Sequence, residues 1–329
     1  MSILITGASG FVGQELATAL LHDTPMTTML TLTDVLGEPP IPSGVLPEHK
    51  HRIESVEADL TSQQAVDELI CSSSRYDAVY LLHGIMSSGS EANFDLGMKV
   101  NLFATQYILD RLRHTMPGVK VIFASSLAVY GPTAPGFVIN ERNLPPHPTS
   151  SYGTEKLVIE LLLNDYSRRG FLDGRCVRLP TVTVRAGAPT QAASSFASGI
   201  LREPLNGQKS VLPVKRDTDL WICSPYIVVQ NLVYAKEIPA EEFGDSRSVN
   251  LPGIKVSVDE MLSVLEQVGG KEKRDLVEEK YDEHTDKIVQ GWSPNFDISW
   301  AKQLGFVEDI SLLDSVKRYV NDHVKHVSR

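Results

Sequence analysis

Tyr152 and Lys156 stand four residues apart in Ser150-Ser151-Tyr152-Gly153-Thr154-Glu155-Lys156, where an apolar-periodic segment begins. On a helix, positions i and i+4 share a face about 6 Å apart along the axis, so an ammonium can lie beneath a phenol hydroxyl. A free tyrosine loses its proton only near a pH of about 10, and a neighbouring cation favours the phenolate. Tyr152 is therefore a candidate base. A packing tyrosine beside a solvated lysine has the same spacing, so the rest of the chain must decide what the pair means.

A second chemical signature sits at the N-terminus. Ser2-Ile3-Leu4-Ile5-Thr6 is strand-prone, Gly7-Ala8-Ser9-Gly10-Phe11-Val12-Gly13 follows directly, and residues 15–21 have a helical pattern. Strand, glycine turn and helix together let the backbone approach a pyrophosphate at an N-terminus with unpaired N–H groups. The turn residues Gly7, Ser9, Gly10, Phe11, Val12 and Gly13 are accordingly candidate cofactor contacts. The next strand, residues 29–33, ends at Asp34. An acid about 20 residues beyond such a turn can accept hydrogen bonds from an adenosine ribose and repels a 2'-phosphate, which favours NAD over NADP. A plain turn aspartate would look similar.

Composition bounds the setting. The chain has 329 residues, 42% hydrophobic and 22% charged, enough for two lobes around a large core. A net charge of −10 argues against a general nucleic-acid or anionic-membrane surface. Cys71, Cys176 and Cys223 match neither a disulfide framework nor a zinc pattern and read as reduced core residues, so no metal is expected. Without a long apolar run, and with a strand starting at Ile3, the expected location is cytoplasmic.

Further elements must position this chemistry. Residues 52–57 read as a third strand, followed by Asp59-Leu60, which could hold an adenine edge and face; Asp59 equally suits the cap of a helix at 61–70. A fourth strand, residues 77–82, ends at Leu82 and leads into His83-Gly84-Ile85-Met86-Ser87-Ser88-Gly89-Ser90, expected as a loop bordering the ligands. A helical pattern over 95–113 carries Asn101 in its middle, where asparagine is an indifferent helix former. A fifth strand, residues 119–124, brings Ser125-Ser126 to the same sheet edge, and Leu157, Leu161 and Tyr166 suggest the buried stripe of the tyrosine helix. A sixth strand, 175–179, ends in Pro180-Thr181-Val182-Thr183. The pattern is α/β: a Rossmann-type doubly wound parallel sheet with a smaller C-terminal α/β substrate lobe. Residues 1–180 would form the NAD-binding domain, with a return to it around 225–250, and 181–329 mainly the substrate lobe.

The order Gly7, Gly10, Gly13, then Asp34, Asp59-Leu60, Ser126 and Tyr152 with Lys156 resembles the extended short-chain dehydrogenase/reductase superfamily over essentially the whole chain. The wording of the second half is similar to the D-erythronate dehydrogenase branch, whose relatives are often labelled nucleoside-diphosphate-sugar epimerases. The similar stretches include Ser151-Tyr152-Gly153-Thr154-Glu155-Lys156, Arg178-Leu179-Pro180-Thr181, Ala193-Ser194-Ser195-Phe196 and Asn250-Leu251-Pro252-Gly253. The resemblance implies that Tyr152 is the acid/base, that Lys156 lowers its pKa and holds the nicotinamide ribose, and that Ser126 bonds the reacting oxygen. It also implies that Asn101 supports the Lys156 network, that Leu82, Pro180 and Val182 meet NAD, and that Ser87 and Thr181 meet substrate. Relatives usually carry Leu-Ala-Ala where this chain has Leu82-His83-Gly84, so the nicotinamide-side loop is expected to be reshaped.

For the substrate, a helix expected over 192–201 presents Ser194 and Ser195 with Arg202 at its end. An arginine can bind a carboxylate through two parallel hydrogen bonds, although serines on a helix face and a C-terminal arginine are ordinary helix features. Thr218-Asp219-Leu220-Trp221 departs from the Arg-Asp-Phe/Tyr type segment of sugar-nucleotide enzymes. The expected activity is NAD-dependent oxidation of a small hydroxy acid, best D-erythronate. The alternatives are a nucleotide-sugar epimerase that recycles NAD and a non-catalytic NAD-binding regulator. A homodimer is expected through the Asp95 and Tyr152 helices, as in relatives. Ser257-x-x-Glu260 predicts a capping box, residues 271–284 a solvated charged run, and 312–324 a final amphipathic helix.

Overall fold

The computed structural model describes residues 1–71, 75–188 and 193–324; the side chain of Cys71 and residue Ala192, with which one predicted helix begins, lie outside the described residues. The first half alternates as expected: β1 (Ser2–Thr6), α1 (Phe11–Asp23), β2 (Met29–Asp34), β3 (Ile53–Glu57), α2 (Gln63–Cys71) and β4 (Ala78–Leu81). Next come α3 (Ser87–Ala92), α4 (Phe94–Gly97), a π-helical segment (Met98–Ala104) and α5 (Thr105–Thr115). They are followed by β5 (Lys120–Ser126), α6 (Ser151–Arg168), β6 (Asp173–Leu179), β7 (Thr181–Val182), α7 (Ser195–Leu205) and β8 (Ser210–Leu212). Then β9 (Asp219–Cys223), α8 (Pro225–Ala235) and β10 (Ser248–Asn250) bring the chain back to the main sheet. The remainder is β11 (Ile254–Ser257), α9 (Val258–Gly269), α10 (Lys271–Arg274), β12 (Val277–Glu279), α11 (Glu283–Gln290), α12 (Ser299–Gln303) and α13 (Leu312–His323).

Among the described residues, seven strands form a parallel sheet in the order β10-β6-β5-β4-β1-β2-β3. The order reverses between β1 and β4, the kind of place where open α/β sheets bind ligands. Register makes this concrete. Thr6 lies opposite both Thr33 and Leu81, so the next residues, Gly7, Asp34 and Leu82, emerge at one edge. Ser126 lies opposite Leu179, which puts Pro180 beside it at the same edge.

Alternation along each strand sends side chains to two cores. Ile3, Ile5, Tyr80, Ile122 and Val177 pack with Leu16 and Leu20 of α1 and Leu232 of α8. Leu4, Val79, Leu81, Val121 and Phe123 pack on the other face with Ile108, Leu112, Ile159 and Leu163. A third core, built from Ile200, Leu220, Val256, Met261, Leu265, Val316 and Tyr319, holds the smaller unit, and α13 packs into it. Ser257 caps α9, its Oγ accepting the Glu260 N–H at 3.1 Å, which is the first half of the expected capping box.

Three local expectations change. Ser87–Ala92 is a helix rather than loop, and the helix expected over 95–113 is interrupted by the wider turn that carries Asn101. The inward face of α6 consists of Gly153, Glu155, Lys156, Ile159, Glu160, Leu163 and Ser167, while Leu161 is 63% exposed. Its charged residues find buried partners and share the inward face with Ile159 and Leu163, while Leu157 and Tyr166 pack at the edges of neighbouring cores and Leu161 alone of the expected stripe faces out.

Candidate active site

At the glycine turn, Gly7 has φ +67°, and a β-carbon there would stand 2.7 Å from the His83 nitrogen. A β-carbon on Gly13 would stand 2.7 Å from the Gly7 oxygen. Only glycines let strand, turn and helix close this tightly. No side chain caps α1, and its first turn holds no acid, so its N–H groups are open to an anion, as a dinucleotide pyrophosphate requires. Asp34 accepts the Ser9 N–H at 3.0 Å through Oδ2 and the Val35 N–H at 2.8 Å through Oδ1. The carboxylate is thereby fixed at the turn, where it fits a ribose diol better than a phosphate. The Phe11 ring packs against His323, so its place in a cofactor site rests on its backbone; Val12 faces the main cavity. Asp59 Oδ1 accepts Thr61 N–H at 2.9 Å and Leu60 is buried, leaving Asp59 as the exposed member of that pair.

Asn101 is 2% exposed and ties the wall of the site together. Its Oδ1 accepts the Ile85 N–H at 2.7 Å, and its Nδ2 donates to the Ile85 oxygen at 2.9 Å and to Glu155 Oε2 at 2.6 Å. Ser90 Oγ donates to the same Glu155 oxygen at 3.1 Å. Asn101 thus anchors the segment after β4 to α6; its bonded partners are Ile85, Ser90 and Glu155 rather than Lys156. His83 makes a parallel tie, with Nδ1 2.8 Å from Thr6 Oγ1 and Nε2 3.1 Å from Thr105 Oγ1. The Thr6 hydroxyl also lies 3.3 Å from the Tyr80 oxygen and accepts the Leu82 N–H at 3.2 Å, so it joins β1 to the end of β4. Burial, then the Lys156 charge, pushes the His83 pKa down to about 3, so the ring is neutral.

Ser126, Tyr152 and Lys156 line one cavity of about 880 Å³. The α6 N-terminus places Tyr152: Ser150 Oγ accepts the Gly153 N–H at 3.1 Å, and a Gly153 β-carbon would collide with the Ala128 oxygen. Lys156 Nζ donates to the Ala124 oxygen at 2.9 Å and sits 5.5 Å from the Tyr152 ring centroid. Burial pushes the Tyr152 phenol up to about 12, against a hydrogen bond from Ser126 that favours the phenolate. Burial also pushes Lys156 down to about 8, against Glu155 and Glu160, which favour its charge. In the protein alone, then, desolvation of the phenolate outweighs the Ser126 hydrogen bond. Tyr152 therefore rests as a neutral phenol.

The cavity wall also includes Leu82, Ser87, Ser88, Pro180, Thr181, Val182 and Ser194. Ser195 and Arg202, predicted to face substrate, are not on it. Both are buried in α7, and Arg202 pairs with Glu203 at 2.6 Å while donating to the Arg185 oxygen at 3.1 Å. The arginine on the wall is Arg185. Sequence reading also missed Tyr130, Trp221 and Phe296, an aromatic side with centroids 6.0 Å and 5.4 Å apart. The charged run expected to be solvated surface ends at His284, which reaches the cavity with Lys287 of α11. Behind the wall, Arg178 pairs with Glu160 at 2.6 Å and donates to the Tyr130 hydroxyl at 2.6 Å. Among the described residues no helix is long and apolar enough to cross a membrane.

Comparison with known proteins agrees with this geometry. The chain is 39% identical to D-erythronate dehydrogenase of Haemophilus influenzae over 97% of its length and 99% of that protein's. It is 40% identical to D-erythronate dehydrogenase of Cupriavidus necator, covering 98% of each chain. A crystal structure described as the nucleoside-diphosphate-sugar epimerase from Agrobacterium tumefaciens superposes with a TM-score of 0.89 at 35% identity, covering 98% of this chain and 94% of that one. Residues 3–221, from the first strand through the cavity-lining β9, match the family model described as the NAD dependent epimerase/dehydratase family, and the chain belongs to that family as an enzyme of NAD chemistry.

Proposed function

We propose that the protein is an NAD-dependent dehydrogenase that oxidises a hydroxyl of a small sugar acid, with D-erythronate and its 2-oxo product as the leading pair. The observation that carries this reading is the joining of Ser126, Tyr152 and Lys156 in one cavity beside a glycine turn open to a dinucleotide. Similarity at about 40% identity to two D-erythronate dehydrogenases supplies the substrate.

When bound, NAD supplies the hydride acceptor. Gly7, Gly10 and Gly13 would admit its pyrophosphate, Asp34 its adenosine ribose, and Lys156 its nicotinamide ribose. Ser126 holds the carbinol oxygen and Tyr152, as phenolate, takes its proton. The carbinol C–H bond gives up its hydrogen with both electrons, and the carbon–oxygen double bond forms. In the opposite direction the neutral phenol favoured by burial is the proton donor.

Incubating the purified protein with NAD and D-erythronate, its stereoisomers and related acids should produce reduced cofactor, read by absorbance. Absence of turnover on every acid would reject the proposal. The Agrobacterium structure favours a second reading, a nucleotide-sugar epimerase, which predicts sugar-nucleotide interconversion with no net NADH.

The same proposal includes a homodimer in the cytosol. Residues 94–104 and α6 pack side by side and leave Phe94, Leu96, Phe103, Val158 and Leu161 exposed, an apolar face suited to a second copy. Sedimentation at several concentrations tests the dimer. Buried free thiols at Cys176 and Cys223 suit a reducing compartment, and cell fractionation tests the location.

A further inference from the structure

Among the charged side chains on the cavity wall, the acids already have partners. Glu91 accepts the Ser151 N–H at 2.6 Å, and Asp219 pairs with Lys255 at 2.7 Å. Arg185 differs from both. Among the described residues its guanidinium has no ion pair or hydrogen bond, although it is only partly exposed. Its backbone, by contrast, is held on both sides by α7. The Arg185 N–H donates to Ser198 Oγ at 3.1 Å, and its oxygen accepts from Arg202 at 3.1 Å. Ser198 is itself fixed by Thr183 at 2.9 Å. Arg202, neutralised by Glu203, serves as a support. Burial, then the Arg202 charge, lowers the Arg185 pKa, so a bound anion would relieve an unfavourable environment.

A fixed backbone carrying an uncompensated planar cation, on the wall of a cavity that holds Ser126 and Tyr152, is the arrangement a carboxylate requires. The geometry assigns Arg185 as the carboxylate-recognition residue of this site: it receives the acid group of the substrate while the carbinol meets Ser126 and Tyr152. This rests on the hydroxy-acid reading above and names the residue that gives it specificity. Lys287 and His284 also reach the cavity, but both are exposed and remain solvated in the free protein, so they select less sharply.

The test measures binding apart from turnover. NADH and D-erythronate are both in reduced form and cannot react, so calorimetry on the protein with NADH reads the acid's affinity directly. Erythritol, with a hydroxymethyl in place of the carboxylate, is the neutral probe. For Arg185→Gln the dissociation constant of D-erythronate should rise about 30-fold or more, with Arg185→Lys intermediate, as loss of a charge-assisted bidentate contact implies. Binding of erythritol and NADH should stay within about twofold, and Lys287→Gln should weaken acid binding less than Arg185→Gln does. Unchanged erythronate affinity in Arg185→Gln overturns the assignment. So does a parallel loss of NADH or erythritol binding, a larger loss in Lys287→Gln, or a wild-type protein that binds no acid. If Arg185-dependent acid binding appears without oxidation of any acid, the catalytic reading fails and the recognition site stands. If Arg185→Gln oxidises the acid at low concentration as fast as wild type, the recognition site fails and the catalytic reading stands.

Discussion

Gly84 and Asn101 are pressed together in the segment that follows β4: a β-carbon on Gly84 would stand 2.9 Å from the Asn101 Oδ1 that accepts the Ile85 N–H. Asn101 is held by three further bonds and cannot swing aside without releasing Ile85, Ser90 and Glu155. Gly84→Ala should therefore destabilise the fold by about 1–3 kcal/mol and lower kcat, because the same β-carbon would come within 3.8 Å of Lys156 Nζ. Denaturant unfolding and steady-state kinetics check both effects.

Tyr152→Phe keeps the packing and removes the proposed proton-transfer group. We expect kcat to fall by about 10² to 10⁴ while NAD affinity changes little, as loss of a general acid/base implies. The phenol is pushed up to about 12, and the phenolate fraction grows as pH rises. Wild-type oxidation should therefore accelerate toward alkaline pH, and the variant should lose that dependence.

His83 gives a pH signature of stability. Its pKa in the fold is pushed down to about 3, below its ordinary value of 6.5. Between those values the unfolded chain binds a proton that the folded protein does not, so stability falls as pH drops through 6.5 toward 3. The slope from this one group approaches about 1.4 kcal/mol per pH unit. His83→Gln should flatten the acid limb of a stability–pH curve, and NMR should show no ring protonation at pH values well below 6.

Asp34 combines a structural duty with cofactor choice, since it holds the Ser9 and Val35 N–H groups and would repel a 2'-phosphate. For Asp34→Ser we expect the kcat/KM ratio for NADP over NAD to rise at least about tenfold and the KM for NAD to increase. Paired kinetics with the two cofactors measure it.

Glu160 is 2% exposed and accepts from Arg178, Ser125 and Ser248. Glu160→Gln leaves Arg178 without a counter-charge and should destabilise the protein by about 3–5 kcal/mol. Chemical denaturation should show it as a lowered midpoint.

The redox half of the site was legible because its information is local. Gly7, Gly10 and Gly13 follow one strand, Asp34 ends the next, and Tyr152 and Lys156 share one helix. Sheet register then brings these short words together. The recognition half was not legible in this way. Trp221 reaches the site only because β9 pairs with β7, and His284 and Lys287 because the chain returns after β12. Spacing could not separate Arg185 from Arg202 either, since Glu203 silences one of two arginines with equal chemical promise. The stripe expected at Leu161 failed for a related reason: α6 buries Glu155, Lys156 and Glu160 because other segments bring their partners.

The cavity wall therefore has two provenances. The residues proposed for hydride transfer come from strand ends and α6 before residue 180, with Asn101 and His83 tying neighbouring segments together. The surfaces that would touch the far end of a substrate come from Arg185, Trp221, His284, Lys287 and Phe296, on other segments of the chain. Such a division makes the enzyme evolvable: drift in the later segments can retune which molecule is accepted while the oxidising apparatus stays untouched. For the engineer it marks residues 185, 221, 284 and 287 as the place to diversify a library, and the Gly84–Asn101 contact as the place to leave alone.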